Sequence, residues 1–213
     1  MQELHSMSDQ LTYEKSKVNA LDKNPYENIE GSPYLNEIFV PGEVIINDSI
    51  RVEEVPVRYN IYTDRIEFKD EEDQILEIDI SQDDFVFKVA NLTFTNEDYR
   101  LKNEKKQGLL EMLVDGHVQL FRKYNVKFQE AKKAKGYQDP EPKRFVRKKE
   151  QYLVAIGDEH PETFQKSKDL IKKLEKINPD VHQYIDSENL KIRKEEDLVQ
   201  LVQHCNNFYQ KDR

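Results

Sequence analysis

The hydrophobic period of this chain changes once. From Val44 to Phe128 apolar residues tend to alternate with polar ones, as half-buried strands require; after Ser167 they recur at the three- and four-residue spacing of helices with one buried face. That order of periods restricts the chain to the α+β class. It predicts an antiparallel β-rich domain (a meander, a sandwich or a partly open barrel), followed by a small C-terminal helical unit of two to three helices.

Within the β-prone part, turn chemistry marks the strands. Val44–Ile46 and Ile50–Val55 flank Asn47-Asp48, a turn signal. In "VPVRYNIYTDRIEFKD" (residues 55–70), Val55, Val57, Tyr59 and Ile61 share one face, and reversal around Thr63-Asp64 sets Ile61 opposite Ile66 and Tyr59 opposite Phe68. On the other face Arg58 then lies across from Lys69 and diagonal to Glu67. That is ion-pair geometry, worth about 0–1 kcal/mol if exposed. Arg58 therefore reads as scaffold. Further strands are expected at Gln74–Ile80, Phe85–Ala90 and Asn91–Thr95. "GLLEMLVDGHVQLFRKYNVKF" (residues 108–128) is the strongest hairpin signal. A two-residue loop at Asp115-Gly116 sets Leu113 opposite Val118 and Met112 opposite Gln119, with Glu111 and Arg122 as a second diagonal pair.

The same pass gives four segments: residues 1–29 as a flexible N-terminal extension, 30–131 as the β-domain, 132–150 as a basic connector containing Gly136, Pro140 and Pro142, and 151–213 as a strand or hairpin plus helices. Ser167 is placed to cap a helix carrying Leu170, Ile171, Leu174 and Ile177. Asn178-Pro179 opens a second helix with Val181, Tyr184 and Ile185. "KEEDLVQLVQHCNNFY" begins a third, with acids complementing the helix dipole and Leu198, Leu201, Val202, Cys205 and Phe208 as its buried stripe. Cys205, the only cysteine, reads as a small core residue, and no internal disulfide is possible.

Charge is segregated. Ten acidic residues lie between Asp64 and Asp84 against Arg65 and Lys69; eight basic residues lie between Lys132 and Lys149 against Asp139 and Glu141. The formal net charge of −9 disfavours a general nucleic-acid binder. Solvated loops explain both clusters; a polarised surface that orients a partner is the functional alternative. Arg144, Phe145, Arg147, Lys148 and Lys149, where an aromatic interleaves with cations, form the candidate interaction surface. The competing readings are that Phe145 and Tyr152 merely anchor the connector onto the β-domain while the bases stay in water, single-stranded nucleic acid binding by stacking and charge, and docking of the connector onto the acidic hairpins of the same molecule.

Catalytic spacing is not found. The histidines (5, 117, 160, 182 and 204) lack metal-ligand spacing, and no His-Glu-x-x-His, dinucleotide fingerprint or Gly-x-Ser-x-Gly elbow occurs. "KDEEDQ" (residues 69–74) lacks the oxygen pattern and glycine of an EF-hand loop and reads as a hairpin tip. No catalytic, metal or cofactor-binding residue is assigned, and no cofactor is expected. No apolar run reaches the roughly 18 residues that span a bilayer, and "MQELHSMSDQ" lacks the basic and apolar regions of a signal peptide.

"GSPYLNEIF", "RYN" at 58–60 with "EF" at 67–68, "YQDPEPKRFVRK" and "NLKIRKEEDLVQLVQHCNNF" resemble a family of uncharacterised β-rich envelope proteins of Bacteroidetes-type bacteria, over residues 30 to 208. This chain departs from it where "HCNNF" stands in place of an aromatic pair before the asparagine. The resemblance implies export to the periplasm or cell surface as a mature chain without its signal peptide, and it assigns no activity. The expectation is a non-catalytic envelope protein binding another protein or a surface polymer. The alternatives are a hydrolase or transferase whose carboxylates assemble only in the fold, and a single-stranded nucleic-acid-binding regulator.

Overall fold

The computed structural model describes residues 18–20, 25–70, 72–81, 84–102, 104–133, 140–164 and 166–211. The fold is α+β, with an antiparallel β-rich part followed by three C-terminal helices. It divides into two compact units that interleave in sequence: residues 1–96 with 124–150, and residues 97–123 with 151–213. The expected boundaries at 131/132 and 150/151 coincide with this division only at the second.

In the first unit, β2 (Val40–Ile46), β3 (Ile50–Asn60), β4 (Arg65–Lys69) and β5 (Ile75–Ile78) form an antiparallel meander. β1 (Val18–Ala20) pairs with the outer edge of β5. β6 (Phe85–Val89) pairs with the other side of β2, and the first half of β7 (Leu92–Leu101) pairs with β6. Asn47 and Asp48 both take positive φ, 50° and 54°, and the Ser49 N–H closes the turn onto the Ile46 carbonyl at 3.1 Å, so a three-residue loop joins the paired Ile46 and Ile50. Gly42 sits where β2 bulges against β3; a side chain there would overlap Val57 and the carbonyl of Lys88. The buried face carries Val55, Val57, Tyr59, Ile66, Phe68, Ile78, Phe85, Phe87 and Phe94. Residues 18–20 and 25–29 are built into this unit, which corrects the expected extension for those positions; residues 1–17 and 21–24 lie outside the described residues.

The β3–β4 register differs from the expected one by one pair. The loop spans Ile61 to Asp64, so Tyr59 faces Ile66, Val57 faces Phe68, and Arg58 faces Glu67 directly. Local hydrogen bonds explain the choice. The Asn60 side-chain carbonyl accepts from the N–H groups of Tyr62 and Thr63 (3.1 and 3.2 Å), and the Tyr59 hydroxyl donates to Asp64 at 2.6 Å.

The second unit contains the rest of β7, β8 (Glu104–Val114), β9 (Val118–Lys123), β12 (Gln151–Ile156) and the short β13 (Glu162–Thr163). The strand order β7-β13-β12-β9-β8 closes with β8 pairing back to β7. β8 bulges between Met112 and Val114, so Met112 faces Phe121, Val114 faces Leu120, and Glu111 faces Arg122. Five residues rather than two separate the paired Val114 and Leu120, which removes the expected Leu113–Val118 and Met112–Gln119 pairs; with the bulge moving the register back by one, Glu111 and Arg122 come into direct opposition.

Three helices pack on one face: α1 (Ser167–Leu174), α2 (Val181–Glu188) and α3 (Glu195–Lys211). Leu170, Leu174, Val181, Leu198, Leu201, Val202 and Cys205 join Val114, Val118, Leu120 and Val154 in one core. Ser167 is the first residue of α1 rather than its cap; Lys166 holds that position. Asn178 caps the turn before α2 by accepting the Asp180 N–H at 2.9 Å, and the helix itself starts at Val181. A second, smaller cluster of Tyr99, Leu110, Phe121, Leu153 and Ala155 lies among the strands.

Candidate functional site

The expected basic connector is partly a β-ribbon. β10 (Val126–Gln129) and β11 (Arg144–Arg147) pair antiparallel, with Phe128 opposite Phe145 and Gln129 opposite Arg144. Backbone hydrogen bonds between Lys132 and Glu141, 2.9 and 3.0 Å, extend the pairing, and Lys132 holds the Glu141 carboxyl below its usual range. Residues 134–139 lie outside the described residues. Phe145 is 6% exposed and packs edge-on against Tyr26 and Tyr62, with ring centroids 5.2 and 5.1 Å away. It is a core residue, so reading the whole of 132–150 as a connector fails at β11. The signal was present in the apolar alternation of "RFVR" with "VKFQ", but lysine and proline density outweighed it.

Strand alternation sorts the candidate cations. Arg147 shares the face of Phe145 and donates to the Tyr34 carbonyl at 2.8 Å, tying β11 to the first unit's N-terminal loop. Arg144 lies on the opposite face, bonded to the Gln129 side chain at 2.9 Å and 3.6 Å from Glu141. Lys127 shares that outer face, while Lys148 and Lys149 follow the end of β11; all three are exposed. Among the described residues, none of these three lysines has a carboxylate partner.

Arg58 sits in a closed cluster. Its guanidinium lies 2.6 Å from Glu67 Oε2, donates to the Tyr34 hydroxyl at 2.8 Å, and stacks on the rings of Tyr34 and Phe39, 3.7 and 4.3 Å from their centroids. The other oxygen of Glu67 accepts from Asn60 Nδ2 at 2.7 Å, and Asn60 also donates to the Tyr26 hydroxyl. Burial, and then the charge of Glu67, raise the pKa of Tyr34. Glu67 is 1% exposed, so this is a buried network with every carboxylate oxygen engaged. Neither Tyr26 nor Tyr34 was singled out in the sequence as part of it.

Arg122 repeats the pattern in the second unit. It binds Glu111 through two nitrogens, 2.6 and 2.7 Å, and reaches Glu195 at the start of α3 at 2.7 Å. The Tyr152 hydroxyl donates to the same Glu195 oxygen at 2.9 Å. This fork joins two strands to a helix.

One carboxyl of the first unit has a raised pKa. Glu77 stands opposite Glu67 in the β4–β5 register; burial raises its pKa, the nearby Arg65 offsets part of that, and the charges of Glu67 and Asp79 add to it. At the "KDEEDQ" tip Asp70 accepts from the N–H groups of Glu72 and Gln74, and Lys69 bridges to Asp73. Among the described residues, no three of His, Cys, Asp and Glu gather as a metal site, and no helix is long and apolar enough to cross a membrane. In the second unit, open clefts of about 230 and 410 Å³ share Arg100 and His160. Their rims mix cations with Asp98, Asp158, Glu159 and Glu162, so they select no ligand sign.

No protein-family model, curated protein or solved structure matches the chain.

Proposed function

We propose that this protein is a non-catalytic, exported envelope protein that captures another protein or an anionic surface polymer through the outer face of the β10–β11 ribbon. One observation carries the reading: Lys127, Lys148 and Lys149 stand exposed, and without carboxylate partners among the described residues, beside a strand clamped by Phe145. A fixed backbone lowers the ordering cost of binding, and unpaired cations attract an acidic partner at long range in low salt. The resemblance to envelope proteins supports the export half of the proposal.

The test is capture from detergent-solubilised envelopes, with a polyuronate as a separate anionic probe, comparing the protein with a K127E/K148E/K149E variant. Capture by the parent and its loss in the variant, with unchanged melting, is the expected result. Equal capture by both rejects the ribbon as the docking face. Cell fractionation of the natural host checks export, and recovery in the cytosol alone overturns it.

A hydrolase or transferase reading has one observation in its favour, the Glu67–Glu77 juxtaposition with Glu77 biased toward its protonated form. Glu67 is engaged by Arg58 and Asn60, which leaves Glu77 as the only carboxyl of the pair suited to exchange a proton. Hydrolysis in a substrate screen that disappears in Glu77→Gln favours this reading over the first.

A further inference from the structure

The β10–β11 ribbon has an unpaired edge. β10 has β11 on one side and, among the described residues, no strand on the other. Hydrogen bonds fix which backbone groups point outward. Just beyond the two strands, the Lys148 N–H donates to the Asn125 carbonyl at 2.8 Å, so these two residues turn their backbones toward each other. The Phe145 N–H donates instead to the Glu30 carbonyl at 2.8 Å, and the Lys143 carbonyl accepts from the Glu30 N–H at 3.0 Å, both on the side of β11 away from β10. Phe145 stands opposite Phe128, and Arg147 opposite Val126. In an antiparallel pair, opposed residues both turn their backbone groups inward or both outward. Val126 and Phe128 therefore aim their N–H and C=O groups out of the ribbon. Among the described residues, nothing donates to those groups or accepts from them. Unpaired backbone groups sealed inside a fold are rare, and an open strand edge is a template for another chain.

The flanking side chains select the occupant. A strand added to this edge places alternate residues on two faces. One row lies beside Lys127, and Lys148 and Lys149 follow the end of β11; all three are exposed and lack carboxylate partners among the described residues. The other row lies beside Val126 and Phe128. The Phe128 ring is partly exposed, with its centroid 6.2 Å from that of Tyr62, which is 46% exposed. Carboxylates suit the first row and apolar side chains the second. The β10 strand of a second copy does not suit, because it would bring lysine against lysine.

We propose that the outer edge of β10 takes up, as an added strand, an extended segment of another protein in which acidic and apolar residues alternate. This rests on the ribbon as the docking face and narrows its partner to a polypeptide held by backbone bonds as well as by charge.

The experiment uses the full ¹⁵N-labelled chain at neutral pH with a short capped peptide of alternating Val and Glu. A Glu-only peptide of the same length is the charge-only probe. Binding is expected to slow hydrogen exchange at the Val126 and Phe128 amides about tenfold or more. The Lys127 and Gln129 amides, which face β11, are expected to stay as they were. Two N-methylated peptides then separate edge from face docking. Methylating one alternate set of amides removes the donors that face β10; methylating the other removes donors that face water. One of the two is expected to bind about tenfold or more weakly, and the other to match the parent peptide. The proposal is overturned if the alternating peptide does not bind, or if the Glu-only peptide binds as tightly. It is also overturned if the two methylated peptides behave alike, or if the Val126 and Phe128 amides are already protected in the free protein. Any of these results, with capture still lost in K127E/K148E/K149E, leaves the ribbon as a docking face and removes only its edge.

Discussion

Arg58 and Glu67 face each other directly across β3 and β4, with Arg58 Nη2 2.6 Å from the carboxylate and Glu67 only 1% exposed. The pair is part of a buried polar network, so removing one partner strands the other. Glu67→Gln and Arg58→Met are each expected to cost about 3–5 kcal/mol in urea unfolding. The double variant Arg58→Met/Glu67→Leu is expected to recover part of that loss, because no unpaired charge remains. Single variants within about 1 kcal/mol of the parent would contradict the network reading.

The ion pair was legible in the sequence while its register was not, and parity explains both. A hairpin shifted by one pair moves each residue two places along its partner, so every side chain keeps its face. Val55, Val57 and Tyr59 therefore stayed on the apolar face, and Arg58 and Glu67 stayed together on the other, whichever register won. The register was decided by Asn60 and Asp64 hydrogen bonds inside the loop, which depend on side-chain geometry rather than on pattern. The bulge in β8 similarly leaves no mark in the apolar alternation. The division into units was hidden for another reason: each is assembled from segments distant in sequence, and residues 124–150 return to the first unit only through tertiary pairing. Of the candidate surface, charge was visible, but which cations are tied down, Arg144 and Arg147, depended on strand facing.

Glu77 gives a pH prediction with a definite sign. Its folded pKa is raised by burial, so the folded state holds the proton more tightly than the unfolded chain does. The corresponding stabilisation is present below the unfolded carboxyl value and is lost as pH rises through the raised folded value. Glu77→Gln is therefore expected to unfold at higher temperature than the parent at pH 7, by less than about 1 kcal/mol equivalent. The difference is expected to vanish at pH 4 and below. A Gln variant that is less stable at neutral pH would show that the Arg65 contact, 3.9 Å away, outweighs burial.

Cys205 is fully buried in the helical core, and burial pushes its thiol up to about 11. At pH 8 about one molecule in a thousand would then carry a thiolate, and that thiolate is sealed from reagent. Native protein is expected to react with a disulfide reagent at least about a hundredfold more slowly than protein unfolded in guanidinium. Comparable rates would place Cys205 in an accessible setting and reopen its assignment as a core residue.

The tail stretch "HCNNF" contains the residue that fastens α3 to the β8–β9 hairpin. Asn206 Oδ1 accepts the Val118 N–H at 2.8 Å, and its Nδ2 donates to the Val118 carbonyl at 2.9 Å. His117 in the same loop stacks on Tyr209, with centroids 3.6 Å apart. Gly116 makes the approach possible: it holds φ at +147°, and a Cβ there would lie 2.5 Å from Asn206 Nδ2. Asn206→Ala is expected to cost about 1–3 kcal/mol by leaving buried Val118 groups unmet. Gly116→Ala is expected to cost a similar amount by forcing the asparagine away. Because both substitutions break the same contact, the double variant is expected to fall short of the sum of the singles. Full additivity in unfolding titrations would show that the hairpin turn and α3 are held together by something other than Asn206.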